Sequence, residues 1–291
     1  MFGVGRVISR YAAALLSAAA ALLLCSCGVT DQIFEPKLFE TEISCARLPE
    51  ALDGFRIALV TDLHVDNRRH PEYLARIVDR MNELDPDLVA IAGDFADGRA
   101  AELAPQLEAL RKLKARYGVF GVPGNHEYYF EYREYMAYLP ALGVTMLENS
   151  HRMIRSDFAV AGITDPAAGP QRLPVPDISA ALRGIPKRAF VLLLAHRPQH
   201  CVAASKQGVD LQLSGHTHGG LIWGIGPLIV RGNSDFIAGL YRVGDTALYV
   251  SRGAAFRSRN RWCDIWRIGV PPEITLLILR RPAPTSPPPQ K

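Results

Sequence analysis

The amino-acid sequence predicts an α/β sandwich, because short apolar runs alternate with segments of helical periodicity. The first three runs, at residues 55–61, 88–92 and 119–122, are typical of buried strands. Apolar residues recur at helical spacing between the first two runs, ending before Pro86, and again between the second and third, from Leu103 to Leu113. Strands joined in this way are expected to lie side by side and parallel, with right-handed crossovers.

Further strands are predicted in the second half of the chain. Residues 158–163, 190–194 and 209–213 are apolar, and each run leads into polar residues. Residues 221–279 contain more glycine and include the runs 247–250 and 274–278, so antiparallel pairing is expected there. The proline-rich residues 282–291 are predicted to be a disordered tail.

The composition is that of a globular protein. Of the 291 residues, 48% are hydrophobic and 21% are charged, which is enough material for one large core. The formal net charge of +4 is a mild excess, so no nucleic-acid partner is indicated. We predict a targeting or anchoring segment at residues 1–30, a linker with a lead-in strand at 31–54, and the main domain at 55–281.

The first thirty residues have the pattern of an export or anchoring segment. Arg6 and Arg10 precede an apolar run at residues 11–24, which has signal-peptide length and is short for a spanning helix of about 20 residues. Residues 24–28, Leu-Cys-Ser-Cys-Gly, resemble a bacterial lipoprotein processing site in which Cys27 would be acylated. A lipoprotein, an uncleaved anchor and a cleaved signal are the three interpretations, and all place the main domain across the membrane from the cytoplasm.

Polar residues that can bind metals follow the predicted strands directly. They are Asp62 and His64, Asp94, Asn125 and His126, His196, and His216 with His218. Because the carboxyl ends of parallel strands meet at one edge of a sheet, these side chains are expected to converge on one crevice. Oxygen and imidazole ligands without thiolate suit manganese, iron or zinc. The sequence therefore predicts a site for two metal cations.

These residues, taken in order, resemble the five sequence blocks of the calcineurin-like metallophosphoesterase superfamily. The blocks are Asp62-Leu63-His64, Gly93-Asp94, Gly124-Asn125-His126-Glu127, His196 and Gly215-His216-Thr217-His218. Each block alone is a common pattern, but here all of them occur in order and each follows a predicted strand. The resemblance implies a four-layer αββα sandwich over residues 55–281, with a dinuclear metal site at the carboxyl ends of the strands.

The resemblance also implies a role for each residue. One set of side chains would bind the first of two divalent or trivalent metal ions: Asp62, His64 and His218. A second set would bind the other ion: Asn125, His196 and His216. The Asp94 carboxylate would bridge both ions. His126 would stabilise a phosphoryl oxygen or protonate the leaving group, and Asp97 would orient His126.

Residues 252–267 are rich in arginine and aromatic residues. A solvated basic face is one interpretation. The other is contact with a substrate phosphate or an anionic lipid headgroup, for which Arg252 and Arg257 are the candidates. The Ser-Arg-Gly sequence at residues 251–253 also resembles membrane-associated members of the superfamily.

The leading functional hypothesis is hydrolysis of a phosphodiester or pyrophosphate bond in a membrane-associated substrate, either a lipid or a nucleotide-sugar lipid. A phosphomonoesterase that acts on a phosphorylated small molecule is the second hypothesis. A metal-binding lipoprotein without catalytic activity is the third. The third hypothesis accounts poorly for His126 and Asp97, because a metal site without catalysis would require neither side chain.

Overall fold

The apolar runs form the strands of two stacked β-sheets in a computed structural model that describes residues 35–67, 72–224, 226–230, 235–255, 257–259 and 264–282. In chain order the strands are β1 (Lys37–Ser44), β2 (Arg56–Val60), β3 (Leu88–Ala92), β4 (Val119–Val122), β5 (Val144–Met146), β6 (Ser150–Arg155), β7 (Phe158–Gly162), β8 (Phe190–Leu194), β9 (Leu211–Ser214), β10 (Gly239–Val243), β11 (Thr246–Val250), β12 (Arg257–Arg259), β13 (Asp264–Trp266) and β14 (Glu273–Arg280). Within the described residues, the first sheet has the order β1-β14-β2-β3-β4-β5 and the second has the order β10-β11-β9-β8-β7-β6. Strands β12 and β13 pair separately.

The helices connect the strands, and most of them cover the outer faces of the sheets. In chain order they are α1 (Tyr73–Glu83), α2 (Ala100–Leu107), α3 (Asn125–Tyr129), α4 (Tyr132–Ala141), α5 (Ile178–Leu182), α6 (Cys201–Ser205) and α7 (Gly226–Val230). The second predicted helix is shorter than expected, because α2 gives way to a 3₁₀ turn at Glu108–Lys112. Pro105 lies inside α2 and lacks the N–H that would continue the α-helical ladder.

Strand pairing confirms the parallel neighbours that the sequence predicts. Strands β2, β3 and β4 pair in parallel in the first sheet, and β7, β8 and β9 do so in the second. The expectation of antiparallel pairing in the last part of the chain is only partly right. Strand β10 pairs antiparallel with β11, and β14 with β2, but β11 is parallel to β9 and β14 is parallel to β1.

The central strands are apolar on both faces, which explains why they lack a polar alternation. In β2, Ile57 and Leu59 point into the core between the two sheets, where Phe158 of β7 also lies. Ala58 and Val60 point to the opposite face and pack with residues of α1, α2 and α4. On the outer face of the second sheet, α5 and α6 pack in the same way. The four layers confirm the predicted αββα sandwich.

None of the helices in the described part of the chain has both the length and the apolar character that a membrane-spanning helix requires. The predicted anchoring segment at residues 1–30, including Cys27, lies outside the described residues.

Candidate metal centre

Two imidazoles and a carboxylate from different sheets meet at one edge of the sandwich. Nε2 of His64 lies 3.2 Å from Nε2 of His218. Oδ1 of Asp62 lies 3.5 Å from the same His218 nitrogen and 3.9 Å from that of His64. His64 follows β2 of the first sheet, whereas His218 follows β9 of the second. These three ligand atoms lie within 4.8 Å of one another, a spacing that could hold a metal ion.

The Asp94 carboxylate lies at the middle of the site. Its Oδ2 is 3.7 Å from Nε2 of His64, 3.2 Å from Nε2 of His196 and 3.9 Å from Nε2 of His126. The approach of His196 lacks hydrogen-bond geometry and is a close polar contact. One carboxylate thus lies close to imidazoles from both sheets.

Two buried polar atoms beside Asp94 have no hydrogen-bond partner among the described residues. They are Oδ1 of Asn125 and Nε2 of His196. Nδ1 of His196 lies 2.8 Å from the Ala92 carbonyl oxygen, which accepts its proton, so Nε2 is the nitrogen that faces Asp94. Buried polar atoms are rarely left unpaired, so this pair indicates a missing ligand. Oxygen and nitrogen donors arranged in this way fit metal ions.

His216 reaches the site mainly through its backbone. Its N–H donates to both carboxylate oxygens of Asp62, each at 3.1 Å, and so ties the second sheet to the first. Its ring packs edge-on against His196, with 5.0 Å between the ring centroids. The imidazole of His216 therefore lies beside that of His196.

Asp97 contacts two imidazoles, one more than the sequence analysis assigned to it. Its Oδ1 lies 2.6 Å from Nδ1 of His126 and 2.8 Å from Nδ1 of His64. Both rings can donate their Nδ1 proton to this oxygen, which directs their Nε2 atoms towards Asp94. His126 also lies within reach of a metal ion, since its ring, His64 and Asp94 form one of the groups that could hold one.

The backbone at the site is strained. Five candidate ligands adopt a left-handed φ, between 42° and 71°: Asp62, His64, Asp94, His216 and His218. For residues other than glycine this conformation costs about 1–3 kcal/mol and persists only where surrounding contacts enforce it. Strain of this kind concentrates at functional sites, and here it turns side chains sharply into the site directly after each strand.

Gly93, which precedes Asp94, can only be glycine. A Cβ there would lie 2.5 Å from Nδ1 of His196 and 2.8 Å from Cα of Gly124. We expect Gly93→Ala to push His196 away from Asp94, and to reduce both metal affinity and the free energy of unfolding. Denaturant titration and metal titration measure the two effects.

Gly143→Ala is the matched control for this substitution. Gly143 has a φ of 90°, nearly the same as the 91° of Gly93, but a Cβ there would have no atom within 4 Å. Both variants therefore bear the cost of a left-handed alanine, and only Gly93→Ala adds a clash. We expect Gly93→Ala to cost about 1–3 kcal/mol more than the control. Equal losses would show that the close approach at Gly93 is unimportant.

The balance of burial and neighbouring charges raises the pKa of two imidazoles of the site and lowers that of a third. Burial lowers the pKa of His126 and of His196, but nearby carboxylates, led by Asp94, raise the pKa to about 9 and about 10 respectively. Burial also lowers the pKa of His218, and the Arg267 guanidinium lowers it further. Burial raises the pKa of Asp94, but the surrounding imidazoles bring it well below its usual value. Negative charge is thus concentrated on the central carboxylate.

Glu127 is a buried residue whose role the sequence analysis did not identify. Its Oε2 accepts hydrogen bonds from the backbone N–H groups of Asp94, at 3.1 Å, and Gly124, at 2.7 Å. Its Oε1 accepts from the N–H of Phe95, at 2.8 Å. Glu127 stands three residues after Gly124 and accepts its N–H, which is the acidic half of a capping box, but Gly124 has no side chain to supply the other half, so the sequence signal for this role is weak. Glu127 joins the loops that carry Asp94 and Asn125.

We expect Glu127→Gln to loosen both loops, because an amide cannot accept three N–H bonds and would turn its NH₂ towards a backbone donor. The free energy of unfolding is expected to fall by about 1–3 kcal/mol. Metal affinity is expected to fall about 10–100-fold, as for other residues that orient metal ligands. Denaturant titration and metal titration measure these effects.

Glu131→Gln is the control for the Glu127 variant. Glu131 also accepts a backbone N–H, from Ala100 at 2.8 Å, and binds the exposed Arg99, but it does not contact the site. Its substitution is expected to change stability little and metal affinity not at all. A loss of metal affinity in Glu131→Gln as large as that in Glu127→Gln would contradict the positioning role.

The arginines near the site have different surroundings. Arg267 is buried, and its Nη2 lies 2.9 Å from Nδ1 of His218. Arg252, a predicted substrate contact, pairs through Nη1 with the buried carboxylate of Glu273 at 2.5 Å. Arg257 begins β12, and its side chain lies outside the described residues. The sequence analysis named Arg267 only as part of a basic stretch, and nothing in the local pattern places it against His218.

Comparison with known protein families identifies the class of protein to which this fold and this site belong. The family model described as calcineurin-like phosphoesterase matches residues 55–220. This range contains all the candidate metal ligands. The chain belongs to the calcineurin-like phosphoesterase family.

Two sequence relatives support the assignment. The chain is 34% identical to the zebrafish (Danio rerio) "transmembrane protein with metallophosphoesterase domain", over 87% of this chain and 60% of that protein. It is 30% identical to the "uncharacterized metallophosphoesterase YkuE" of Bacillus subtilis, over 84% of this chain and 87% of that protein. A solved dimetal phosphatase from Danio rerio has a TM-score of 0.47 and 12% identity, over 69% of this chain and 88% of that chain. The chain spans less than two thirds of the length of the zebrafish relative.

Proposed function

We propose that this protein hydrolyses a phosphodiester or pyrophosphate bond with the help of two bound metal ions. The observation that carries the proposal is the convergence on Asp94 of imidazoles from both sheets, beside the unpartnered buried atoms of Asn125 and His196. When bound, a pair of cations supplies Lewis-acid stabilisation of the charge that develops on phosphoryl oxygens. Manganese, iron and zinc all suit the donor set.

The donor positions divide into two sets that share Asp94. The first set is Asp62, His64 and His218, whose ligand atoms lie within 4.8 Å of one another. The second set is Asn125, His196 and His216. The candidate ligands come from loops that follow strands of two different sheets. Metal binding therefore depends on correct packing of the two sheets against each other.

His126 is the residue that we assign to proton transfer. Its Nδ1 is held by Asp97, so Nε2 faces the site, where it can carry a proton to the leaving oxygen or donate a hydrogen bond to a phosphoryl oxygen. The residue is only 5% exposed, and bulk water is therefore largely kept from the transferred proton. Asp97 acts through His126 and is a positioning residue.

We assign the substrate to a membrane-associated class, either a lipid or a nucleotide-sugar lipid. The apolar run at residues 11–24, the arginines between residues 252 and 267, and the name of the zebrafish relative support this assignment. In this arrangement Arg257 would contact a substrate phosphate, and Arg252 would line the approach while its charge is paired with Glu273.

Purified full-length protein, loaded separately with manganese, iron or zinc, tests the function on two model substrates. Turnover of bis-p-nitrophenyl phosphate without turnover of p-nitrophenyl phosphate is the expected result. Turnover of the monoester alone would replace the proposal by a phosphomonoesterase. No turnover of either substrate with any of the three metals would leave a metal-binding protein without this activity.

For localisation we propose attachment to the membrane through residues 1–30, with the main domain outside the cytoplasm. Cys27→Ala, or inhibition of lipoprotein processing, is expected to move the protein from the membrane to the soluble fraction, because the acylated thiol would be lost. Cys25→Ala is the matched control and is expected to have no effect. Membrane fractionation measures both. If only Cys25 matters, or if neither cysteine does, the lipoprotein assignment is wrong.

A further inference from the structure

Three imidazoles of the candidate metal centre, those of His64, His126 and His196, each have an oxygen acceptor at Nδ1. The acceptor is Oδ1 of Asp97 for the first two, at 2.8 and 2.6 Å, and the Ala92 carbonyl for the third, at 2.8 Å. An acceptor at Nδ1 is the usual surrounding of a histidine that binds a metal ion through Nε2.

His218 is the exception, because its Nδ1 has a donor beside it. Nη2 of Arg267 lies 2.9 Å from this nitrogen, and Nη1 of the same guanidinium donates to the His218 carbonyl at 3.5 Å. A guanidinium donates hydrogen bonds and has no acceptor. Nδ1 of His218 must therefore accept the hydrogen bond, and a neutral ring then carries its proton on Nε2.

The next contact agrees with this position of the proton. Nε2 of His218 lies 3.2 Å from Nε2 of His64, so one of the two nitrogens must donate to the other. Since His64 donates its own proton from Nδ1 to Asp97, its Nε2 is the acceptor. The donors thus run in one direction through the two rings, and they join the buried guanidinium of Arg267 to the buried carboxylate of Asp97.

Close packing holds Arg267 in this position. The residue is only 3% exposed. A Cβ on Gly253 would lie 3.0 Å from Nη2 of Arg267 and 2.7 Å from Cβ of Asp62, so the guanidinium occupies space that a glycine leaves open. The N–H of Ile268 donates to the Leu221 carbonyl at 2.9 Å, which ties the Arg267 segment to the loop after β9. The guanidinium therefore cannot turn away from the site without a loss of packing.

We propose that Arg267 weakens metal binding at the first set of ligands by holding the proton of His218 on Nε2, the nitrogen that faces the other two ligands of that set. A metal ion and that proton compete for the same lone pair, so a ligating histidine must give the proton up. In the second set, Nδ1 of His196 meets a carbonyl instead. Of the two ions, the one in the first set is thus expected to bind more weakly. This inference uses the ligand sets of the proposed function, but it requires no catalysis.

Long-range proton–nitrogen NMR spectra of full-length protein stripped of metal with a chelator locate the ring proton of His218. Such spectra distinguish the two neutral tautomers by their nitrogen shifts, and His218→Ala identifies the signal. We expect the proton on Nε2 in the unmodified protein and in Arg267→Lys, which keeps a donor. In Arg267→Gln we expect it on Nδ1, because the amide oxygen can accept. A proton on Nδ1 in the unmodified protein would overturn the proposal.

Titration with manganese or zinc measures the effect on metal binding. We expect Arg267→Gln to raise the affinity of the weaker site about 10–100-fold, the range over which groups hydrogen-bonded to metal ligands act, and Arg267→Lys to change it less than about threefold. A loss of metal in both variants would mean that Arg267 supports the site. Equal affinities in both variants and the unmodified protein would mean that the contact has no effect on metal binding. Either result overturns the proposal.

Arg47→Gln is the matched control for the loss of an arginine. Arg47 binds both carboxylate oxygens of Asp210, through Nε at 2.7 Å and Nη2 at 2.6 Å. Asp210 precedes β9, whereas His218 follows it, so the two arginines lie at opposite ends of the same strand. We expect Arg47→Gln to leave metal affinity unchanged. A gain equal to that of Arg267→Gln would contradict a specific effect of Arg267.

A second background separates the hydrogen bond from the charge. Arg267→Gln removes a positive charge, which by itself favours a cation nearby. In a His218→Ala background the accepting nitrogen is absent, so we expect Arg267→Gln to leave the affinity for the metal that still binds unchanged. A gain of the same size in both backgrounds would assign the effect to charge alone and overturn the proposal.

The outcomes also distinguish this inference from the proposed function. If Arg267→Gln binds metal more tightly as expected but no phosphoester is hydrolysed, the inference stands and the proposed function fails. If phosphoesters are hydrolysed and Arg267→Gln binds metal as the unmodified protein does, only the inference fails. If neither the unmodified protein nor any variant binds metal, both fail.

Discussion

Asp94→Ala is expected to abolish hydrolysis and to remove most of the bound metal. The carboxylate contacts Nε2 of both His64 and His196, at 3.7 and 3.2 Å, and in the proposed site it would be the side chain that contacts both ions. Its loss also removes the negative charge that would hold two cations close together. Removal of a single stabilising group at a catalytic site commonly costs about 10²–10³-fold in turnover, and we expect a loss of at least that size. Steady-state kinetics and elemental analysis of the purified variant measure the two effects.

Asp157→Ala is the control for the Asp94 variant. Asp157 lies between β6 and β7, where it binds the Arg155 guanidinium at 2.9 Å on the surface. Its loss is expected to leave turnover and metal content unchanged. Two tightly bound metal ions per chain in Asp94→Ala would contradict the bridging position, whatever the effect on turnover.

His126→Asn is expected to retain both metals and to lose most turnover. The position of the ring supports this expectation, since Nδ1 is held by Asp97 and Nε2 faces the site. Proton donation or charge stabilisation by such a residue contributes about 10²–10⁴-fold. An alkoxide leaving group requires a proton, whereas p-nitrophenolate hardly does, so acid catalysis predicts a greater loss for substrates with poor leaving groups. Kinetics on a series of leaving groups measures the difference.

The outcomes of the His126 experiment distinguish three roles. An equal loss for all leaving groups would indicate electrostatic stabilisation of the phosphoryl oxygens instead of proton donation. Loss of metal would place His126 among the ligands, a position that its 3.9 Å distance from Asp94 allows. Full activity would exclude His126 from the mechanism. His151→Asn, on β6 and hydrogen-bonded to the Ala181 carbonyl, is the control and is expected to behave as the unmodified protein.

Local patterns predicted the central strands well, because a strand buried on both faces is a short apolar run between polar residues. Strands β3, β4 and β8 begin and end where the runs do. Pairing in the last part of the chain was harder to predict. The direction of β14 depends on β1 and β2 on either side of it, and these partners are more than two hundred residues away in the sequence.

The predictions for the candidate site rest on the order of residues along the chain. Glu127 stands in the same block as Asn125 and His126, yet two of its three hydrogen bonds, those from Asp94 and Phe95, depend on the fold of the loop after β3. The sequence around Arg267 gives even less indication of its role, because its contact with His218 joins residues that are 49 positions apart. Side chains that orient ligands are therefore recognised from the structure and seldom from spacing.

The sequence by itself determined which side chains are available for metal chemistry and that each stands directly after a strand, because both properties follow from covalent order and local periodicity. Only the tertiary structure decided that the residues after β2, β3 and β4 meet those after β8 and β9 across the sandwich. That meeting depends on how the inner faces of the two sheets pack, through residues such as Leu59 and Phe158. Packing of this kind is a property of the whole core, and no local window of sequence contains it.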